Sequence, residues 1–392
     1  MFKKSLAALA VLGAVAGYAS AADVNVYGIV DYGFIYTHNK AEASGEADVK
    51  THKFAMDSGV SSGSRFGIKG TEDLGNGMKV GFKLESAFDA DDGKLGQNGR
   101  LFGREASLSL YTDFGTISMG RMGGVGSGAG TYDLVFARAD AFDGGDNNVF
   151  GLAKSSRMDN MITYQSPKFA GVQATVQYSF KGDNKKSDKT KEGELDPTAG
   201  QENTAATDRY ASVALTGDFG AFQPVVAYEF TNVASNGKVG ADNVTLDRDD
   251  SHIVYVGGNY DVGAAKLFAL VQYFHGYGAT LGYDAGKVVS DESQKGYGLH
   301  FGTIVPVAGG DMTVGFYHVN AKPMGYDEDG AIDSEAQNIK FTGVAAKYEY
   351  SLSKRTSLYT GAGVWQKKVS ETNGDFDKDT GVQAYAGMTH RF

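Results

Sequence analysis

Four aspartates, Asp133, Asp140, Asp143 and Asp146, crowd one glycine-rich stretch, Met122–Asn160, which reads MGGVGSGAGTYDLVFARADAFDGGDNNVFGLAKSSRMDN. Fixed negative charge facing fixed positive charge across a narrow body of water creates a field that sorts ions and turns polar solutes. Candidate partners for that chemistry are Arg65, Lys69, Lys83 and Arg157, each on the polar side of its run by parity. Arg104 and Arg121 fall on apolar parity near the ends of their runs, which points to a rim or a subunit contact. Arg138, inside the stretch, is placed to offset one of the acids. The same stretch carries Leu134, Val135, Phe136, Phe142, Val149, Phe150 and Leu152, which need burial, beside acids that are costly to bury unpaired. A segment with both needs belongs where packed protein meets water, and it is too long for an idle connection.

Other chemistry fails on context. Gly59-Val60-Ser61-Ser62-Gly63 fits a nucleophile elbow but leads into a strand, with no partner histidine indicated. Gly124-Val125-Gly126-Ser127-Gly128-Ala129 fits a loose dinucleotide pattern without the βαβ unit that gives the pattern meaning. Asp375–Gly381 suggests a calcium loop, but its glycine is one place late and Ala386 stands where the bidentate glutamate belongs. The seven histidines show no ligand pairing. No enzyme, metal or cofactor is expected.

The elements that hold the charged residues alternate with period two. Val24, Val26, Val30, Tyr32 and Phe34 share one face, while Asn25, Tyr27 and Asp31 share the other. Phe66 and Ile68 oppose Arg65 and Lys69, and Val80, Phe82 and Leu84 oppose Lys79, Lys83 and Glu85. Such alternation marks a sheet with one apolar and one wet face. Sixteen runs follow the pattern, from the one that begins at Val24 to Val382–Phe392. Short connections such as Glu72–Gly77, Asp113–Gly115 and Ser353–Arg355 alternate with long acidic ones such as His38–Gly63, Gly182–Asp208 and Val233–Ser251. Apolar outer faces, an even strand number and loops that are long on one side only predict an all-β fold, a 16-stranded antiparallel transmembrane β-barrel, with the long third loop folded into the pore. Tyr27, Phe88, Tyr111, Tyr178, Tyr228, Tyr350 and Tyr359 are candidates for aromatic girdles.

Composition agrees. Fifty-five glycines against five prolines suit strands and tight turns. A formal charge of −10 and the lack of a basic stripe argue against nucleic acid as a partner. Cysteine is absent, so neither disulfides nor Cys-based metal sites can form. Residues 1–21 read as a secretory signal: Lys3 and Lys4, an apolar Leu6–Gly17, and Ala19-Ser20-Ala21 before the cut. Residues 22–392 are then the barrel, with 122–160 as its constriction loop.

At this point the chain resembles a family, the trimeric general porins of Gram-negative outer membranes, β-proteobacterial branch. The resemblance rests on Val26–Asp31, on Ser64–Gly77, on Tyr350–Thr356 and on the terminal Gly387–Phe392, and it extends over the whole chain. Phe142-Asp143-Gly144-Gly145-Asp146 is similar to the tip of the family's third loop, without its proline and with the acid shifted. The resemblance implies a homotrimer set in outer-membrane lipid and lipopolysaccharide. It implies passive diffusion of small hydrophilic solutes and ions, weakly charge-selective through an acidic loop facing a basic wall. Phe392 would be the signal read by the barrel-assembly machinery, and Asp89–Phe102 the segment that reaches a neighbouring subunit. A substrate-specific outer-membrane channel is the alternative.

Overall fold

The computed structural model describes residues 23–182, 202–203, 207–232, 237–239, 244–246, 250–278, 293–324, 338–370 and 373–392. The signal-peptide segment 1–21 lies outside the described residues, as do most of Gly182–Asp208 and Val233–Ser251. The first strands are β1 (Asp23–Ala43), β2 (Val49–Ser58), β3 (Arg65–Gly75), β4 (Met78–Ala87), β5 (Glu105–Thr112) and β6 (Gly115–Gly123). Then come β7 (Arg157–Gln165), β8 (Val172–Ser179), β9 (Arg209–Gly217), β10 (Phe222–Asn232) and the small hairpin β11 (Gly237–Val239) with β12 (Val244–Leu246). The rest are β13 (Ser251–Asp261), β14 (Lys266–Gly278), β15 (Ser293–Val307), β16 (Gly310–Met324), β17 (Asn338–Ser351), β18 (Thr356–Ser370) and β19 (Phe376–Arg391).

The wall strands pair antiparallel in sequence order, with β2 and β3 both on β1 and β10 on β13, and β1 pairs with β19 to close the ring. Closure is what a bilayer demands, because an open edge would leave backbone groups unpaired in hydrocarbon. Sixteen wall positions result. The second is built in two pieces: β3 lies beside residues 23–29 of β1, and β2 beside residues 32–41, with a break at 59–64. The expected loop His38–Gly63 is therefore mostly strand. The alternation vanished there because Lys40 pairs with Glu42 and Asp48, each at 2.9 Å, on a part of the sheet where both faces are polar.

Alternation is kept wherever one face meets lipid. On β13 and β14, Val254, Val256, Val271 and Tyr273 are exposed, while Ile253, Tyr255, Leu270 and Gln272 are buried. A charge on the first face would cost about 2–4 kcal/mol at mid-bilayer, which explains why these rows stay apolar. Tight turns close the other end; Asn76 (φ 53°) and Gly77 (φ 77°) both take the left-handed backbone that a two-residue hairpin needs. Of the girdle candidates, Tyr111, Tyr228 and Tyr350 are exposed. Tyr27 and Tyr359 point to the polar face instead, where they donate to Glu85 (2.9 Å) and Asp31 (2.9 Å). Both share the parity of Asn25 and Ser357, so strand register decides their place before ring chemistry does.

Candidate functional site

Strand β6 ends at Gly123 and β7 begins at Arg157, so the connecting segment spans 124–156, a little less than the expected 122–160. Glu229, buried on β10, holds both ends of it. Its carboxylate accepts the Gly126 N–H (2.9 Å) and the Ser155 hydroxyl (2.8 Å), and also the hydroxyls of Tyr210 (2.5 Å) and Tyr255 (2.9 Å). Between those ends Val125, Val135, Phe136, Val149, Phe150 and Leu152 are buried against Tyr255, Leu270, Tyr317 and Phe341 of the wall. Phe150 lies edge-on between Phe136 and Tyr317, 5.7 Å from each. The wall makes room with glycine: a Cβ on Gly298 would stand 2.6 Å from Leu152, and one on Gly343 2.8 Å from Val149. The segment thus packs against wall side chains that point away from the exposed apolar rows.

The four acids divide into two kinds. Asp140 is buried and accepts the Tyr317 hydroxyl (2.7 Å) and the N–H groups of Phe142 and Gly144 (both 3.0 Å). His300 lies beside it but takes the Ala141 N–H at Nε2 and donates from Nδ1 to the Phe316 carbonyl, so it is the neutral tautomer and no ion pair with Asp140 forms. Asp146 is buried too, with the Tyr385 hydroxyl at 2.6 Å and the Gln383 amide on its carbonyl at 3.0 Å. Burial raises the Asp146 carboxyl above its ordinary range, and the Tyr385 hydroxyl opposes the rise. These two acids tie the segment to the wall. Asp133 and Asp143 instead face each other; burial first, and the neighbouring Asp143 charge second, push the Asp133 carboxyl up to about 9. Arg138 offsets none of the four. It reaches the β9–β10 turn and pairs with Asp218 (2.9 Å).

The cations gather more closely than parity predicted. Arg65, Arg104, Arg121 and Arg157 are electrostatic neighbours, so Arg104 and Arg121 join this cluster. Arg104 sits in a bend just before β5 and Arg121 at a register shift between β6 and β7, and Arg104 turns in to Glu85 (2.7 Å). Arg121 and Arg100 share Asp159, at 2.6 and 2.7 Å. Arg100 escaped the sequence reading because it lies in a loop without a period. That loop, Asp89–Phe102, folds back on its own barrel: Ala90 N–H donates to Ser58 (2.9 Å), and the Tyr32 hydroxyl donates to the Ala90 carbonyl. Lys83 joins Glu105 at 2.8 Å. Lys69 stands apart, 5.2 Å above the Tyr27 ring. Arg65 donates to the Gly63 carbonyl (2.8 Å) and the Ser62 hydroxyl (3.0 Å), and Arg157 to Gln97 (3.4 Å). Neither forms an ion pair among the described residues.

On the loop side of the segment an open cavity of about 1060 Å³ borders Asn147 and Asn148. Asp377 and Asp379 line it from β19, so the calcium-like stretch is strand and not a loop. Ser61, from the elbow-like stretch, lies in the break between β2 and β3 and accepts from Lys347 (3.2 Å).

A closed sixteen-strand barrel with a polar interior agrees with comparison to known proteins. Residues 8–368 match the family model for the Gram-negative porin. An outer membrane porin protein of Bordetella pertussis is 30% identical, with all of both chains covered. Outer membrane porin protein 32 of Delftia acidovorans is 31% identical, over 99% of this chain and 97% of that one. Among solved structures, the anion-selective porin from Comamonas acidovorans superposes with a TM-score of 0.62 at 24% identity, covering 95% of this chain and all of the other. The outer membrane channel DcaP of Acinetobacter baumannii gives 0.59 at 16% identity, covering 96% and 99%. The chain therefore belongs to the Gram-negative porin family, a channel of the bacterial outer membrane and not an enzyme.

Proposed function

We propose that this porin passes small hydrophilic solutes and ions by passive diffusion, that residues 124–156 fold into the lumen and narrow it, and that the narrowed stretch favours anions weakly. The observation that carries the reading is a charge imbalance. Arg65, Lys83, Arg100, Arg104, Arg121 and Arg157 stand against Glu85, Glu105 and Asp159, with Arg65 and Arg157 outside any ion pair among the described residues. The acids of the segment offer less to a passing ion. Asp140 and Asp146 are buried and committed to Tyr317 and Tyr385 of the wall, and burial with the neighbouring Asp143 charge pushes the Asp133 carboxyl up to about 9. Charges within a Debye length of about 8 Å dominate at physiological salt. In a lumen with low-dielectric walls, an uneven ring of that kind raises the local concentration of the opposite ion. Arg65, Lys83 and Arg157 are the basic wall of this reading, with Lys69 an outlying member. Asp143 is its exposed acid, Asp133 the half-buried partner of Asp143, and Asp140 and Asp146 its anchors.

The test is planar-bilayer recording of the purified protein under a potassium chloride gradient. The expected reversal potential has the sign of anion preference, and Arg65→Gln with Arg157→Gln moves it toward cations. Cation preference in the unaltered protein, or no movement in the double variant, would overturn the assignment.

We propose a homotrimer as well, on the resemblance to trimeric porins; current steps that close in threes are its signature. Phe392 is proposed as the signal for the assembly machinery. In support, its backbone N–H and carbonyl both pair with Gly28 at 3.1 Å, and its ring occupies the space a Gly28 side chain would need.

A further inference from the structure

On the outer face of β13 and β14, at the rim on the long-loop side, two histidines stand directly opposite one another: His252 is the register partner of His275. Both share the parity of the exposed rows beneath them, where Val254 faces Tyr273 and Val256 faces Val271. Their rings lie 6.3 Å apart and are inclined at 60°, and both side chains are half-buried. The two residues are far apart in sequence and meet only through the strand register, so no spacing rule announces them. A register shift follows at once, between Phe274 and Tyr277, with Gly276 in left-handed backbone (φ 66°). A Cβ on Gly276 would collide with the Asp250 carbonyl oxygen, so glycine lets the end of β14 lie against the start of β13 here. Irregularities of this kind re-aim the side chains beside them.

The pair is held from one side. The Tyr228 hydroxyl is 2.7 Å from His252 Nδ1, and the Phe230 ring lies 5.1 Å from the His252 ring. Among the described residues, His252 Nε2 and both nitrogens of His275 make no hydrogen bond. Ligating histidines are oriented in this way, with one ring nitrogen bonded to an oxygen and the other offered to the metal. With an ion on Nε2, Nδ1 carries the proton and donates it to the Tyr228 oxygen. Two imidazoles that share an ion at a metal–nitrogen distance of about 2.0–2.1 Å have ring centres roughly 5–6 Å apart. The observed separation lies just beyond that range, within reach of a small side-chain rotation. No third His, Asp or Glu completes the set among the described residues, which leaves the other coordination positions to water. Lys295 stands across the register shift on β15, on the same face. Its charge opposes a cation, so the nitrogen donors and not the local field must supply the affinity.

We propose that His252 and His275 together hold one divalent transition-metal cation, of the copper and zinc class, on the outer wall of the barrel and outside the lumen. The donor set chooses the class. Calcium and magnesium ask for oxygen ligands, imidazole suits copper and zinc, and copper(II) is the tightest binder of the first-row divalent ions. As parts of an aromatic belt alone, either ring would serve without the other. A shared ion requires both, and that is the property the experiment reads. His38 and His52 are also register partners with outward parity, on β1 and β2, but no ring contact joins them among the described residues, and they are not assigned to the site.

The experiment titrates the full-length protein in neutral detergent micelles with copper(II) chloride, in a buffer that does not chelate, and follows heat and bound metal. One tight ion per chain is expected. Loss of an outer-sphere partner alone costs about 10–100-fold in metal affinity, so loss of a ligand is expected to cost at least ~tenfold. His252→Asn and His275→Asn are each expected to remove the tight site whole, because neither ring keeps the ion by itself. His38→Asn with His52→Asn is expected to leave it in place. Heat-dependent gel mobility establishes that each variant is folded. Electron paramagnetic resonance of the copper-loaded unaltered protein gives a reading that needs no variant, and two coordinated imidazole nitrogens are expected. The proposal is overturned by unaltered protein that binds no tighter than the His252→Asn variant, by single variants that each keep half of the bound copper, by loss of the site in the His38 and His52 double variant, or by a spectrum with one imidazole nitrogen or none.

Discussion

Replacing Glu229 with alanine tests how the segment 124–156 is held. The carboxylate is buried and receives donors from both ends of the segment and from two buried tyrosines. Hydrogen bonds to a charged group contribute about 1.5–3 kcal/mol each. Ser155 is half-exposed and regains water when the carboxylate goes, whereas Tyr210 and Tyr255 are buried and lose their acceptor outright. Removing the carboxylate also removes the cost of burying its charge, which returns part of the loss. The net effect on the segment is about 3 kcal/mol, or on the order of a hundredfold in the opening equilibrium. The wall ladder is untouched, so the barrel still folds. Amide hydrogen exchange in detergent reads the two effects apart. Exchange in residues 124–130 and 153–156 is expected to speed up by roughly that factor, while β13–β19 keep their protection. Glu229→Gln, which keeps the shape and one acceptor oxygen, is expected to fall between the two. Unchanged exchange in Glu229→Ala would refute the claim that this carboxylate clamps the segment.

Three further outcomes are expected. Gly343→Val sets methyl groups against Val149, where a Cβ alone would already stand at 2.8 Å; it is expected to loosen the segment by about 1–3 kcal/mol, seen as added open-channel current noise, without loss of the folded gel band. Because Asp133 holds its proton more tightly in the folded protein than an ordinary aspartate does, its contribution to segment stability is full at acid pH and is lost as pH rises through about 9. Exchange in residues 131–145, corrected for intrinsic rates, should therefore quicken between pH 5 and 9, and Asp133→Asn should flatten that dependence. Asp218→Asn breaks the contact with Arg138, but that pair is partly open to solvent, so less than about 1 kcal/mol of segment stability and no change in conductance are expected.

The wall was legible because its chemistry repeats. Wherever one face meets lipid and the other water, parity alone sorts Val254 from Ile253 and Val80 from Lys79. It was lost beyond the bilayer, where Lys40, Glu42 and Asp48 leave the end of β1 and the start of β2 without an apolar face. Among the basic candidates, Arg65, Lys83 and Arg157 share the polar side of their strands, as parity expects. Parity could not show that Arg104 and Arg121 lie beside Arg157, since Arg104 stands in a bend before β5 and Arg121 at a register shift between β6 and β7. It passed over Glu229, since a lone acid on a wet face reads as solvated until Gly126 and Tyr210 are brought to it by distant parts of the chain. One signal was available and unused. Gly298 and Gly343, in the middle of strands where glycine is unfavourable, mark where another piece of backbone lies close.

The seam between β1 and β19 has a consequence for the time course of folding. Every other junction in the wall joins strands that are consecutive or separated only by β2 or the β11–β12 hairpin, so each can zip from a nearby connection as soon as its two halves exist. The seam joins fifteen facing positions, from Ile29 with Arg391 to Ala43 with Asp377, across nearly the whole length of the chain. No local turn brings these edges together, and the entropy of closing so long a loop falls entirely on this one step. Ring closure therefore waits for the last residue to arrive. Until then the nascent sheet has two bare margins, one of them β1, ready to pair with whatever strand is offered first.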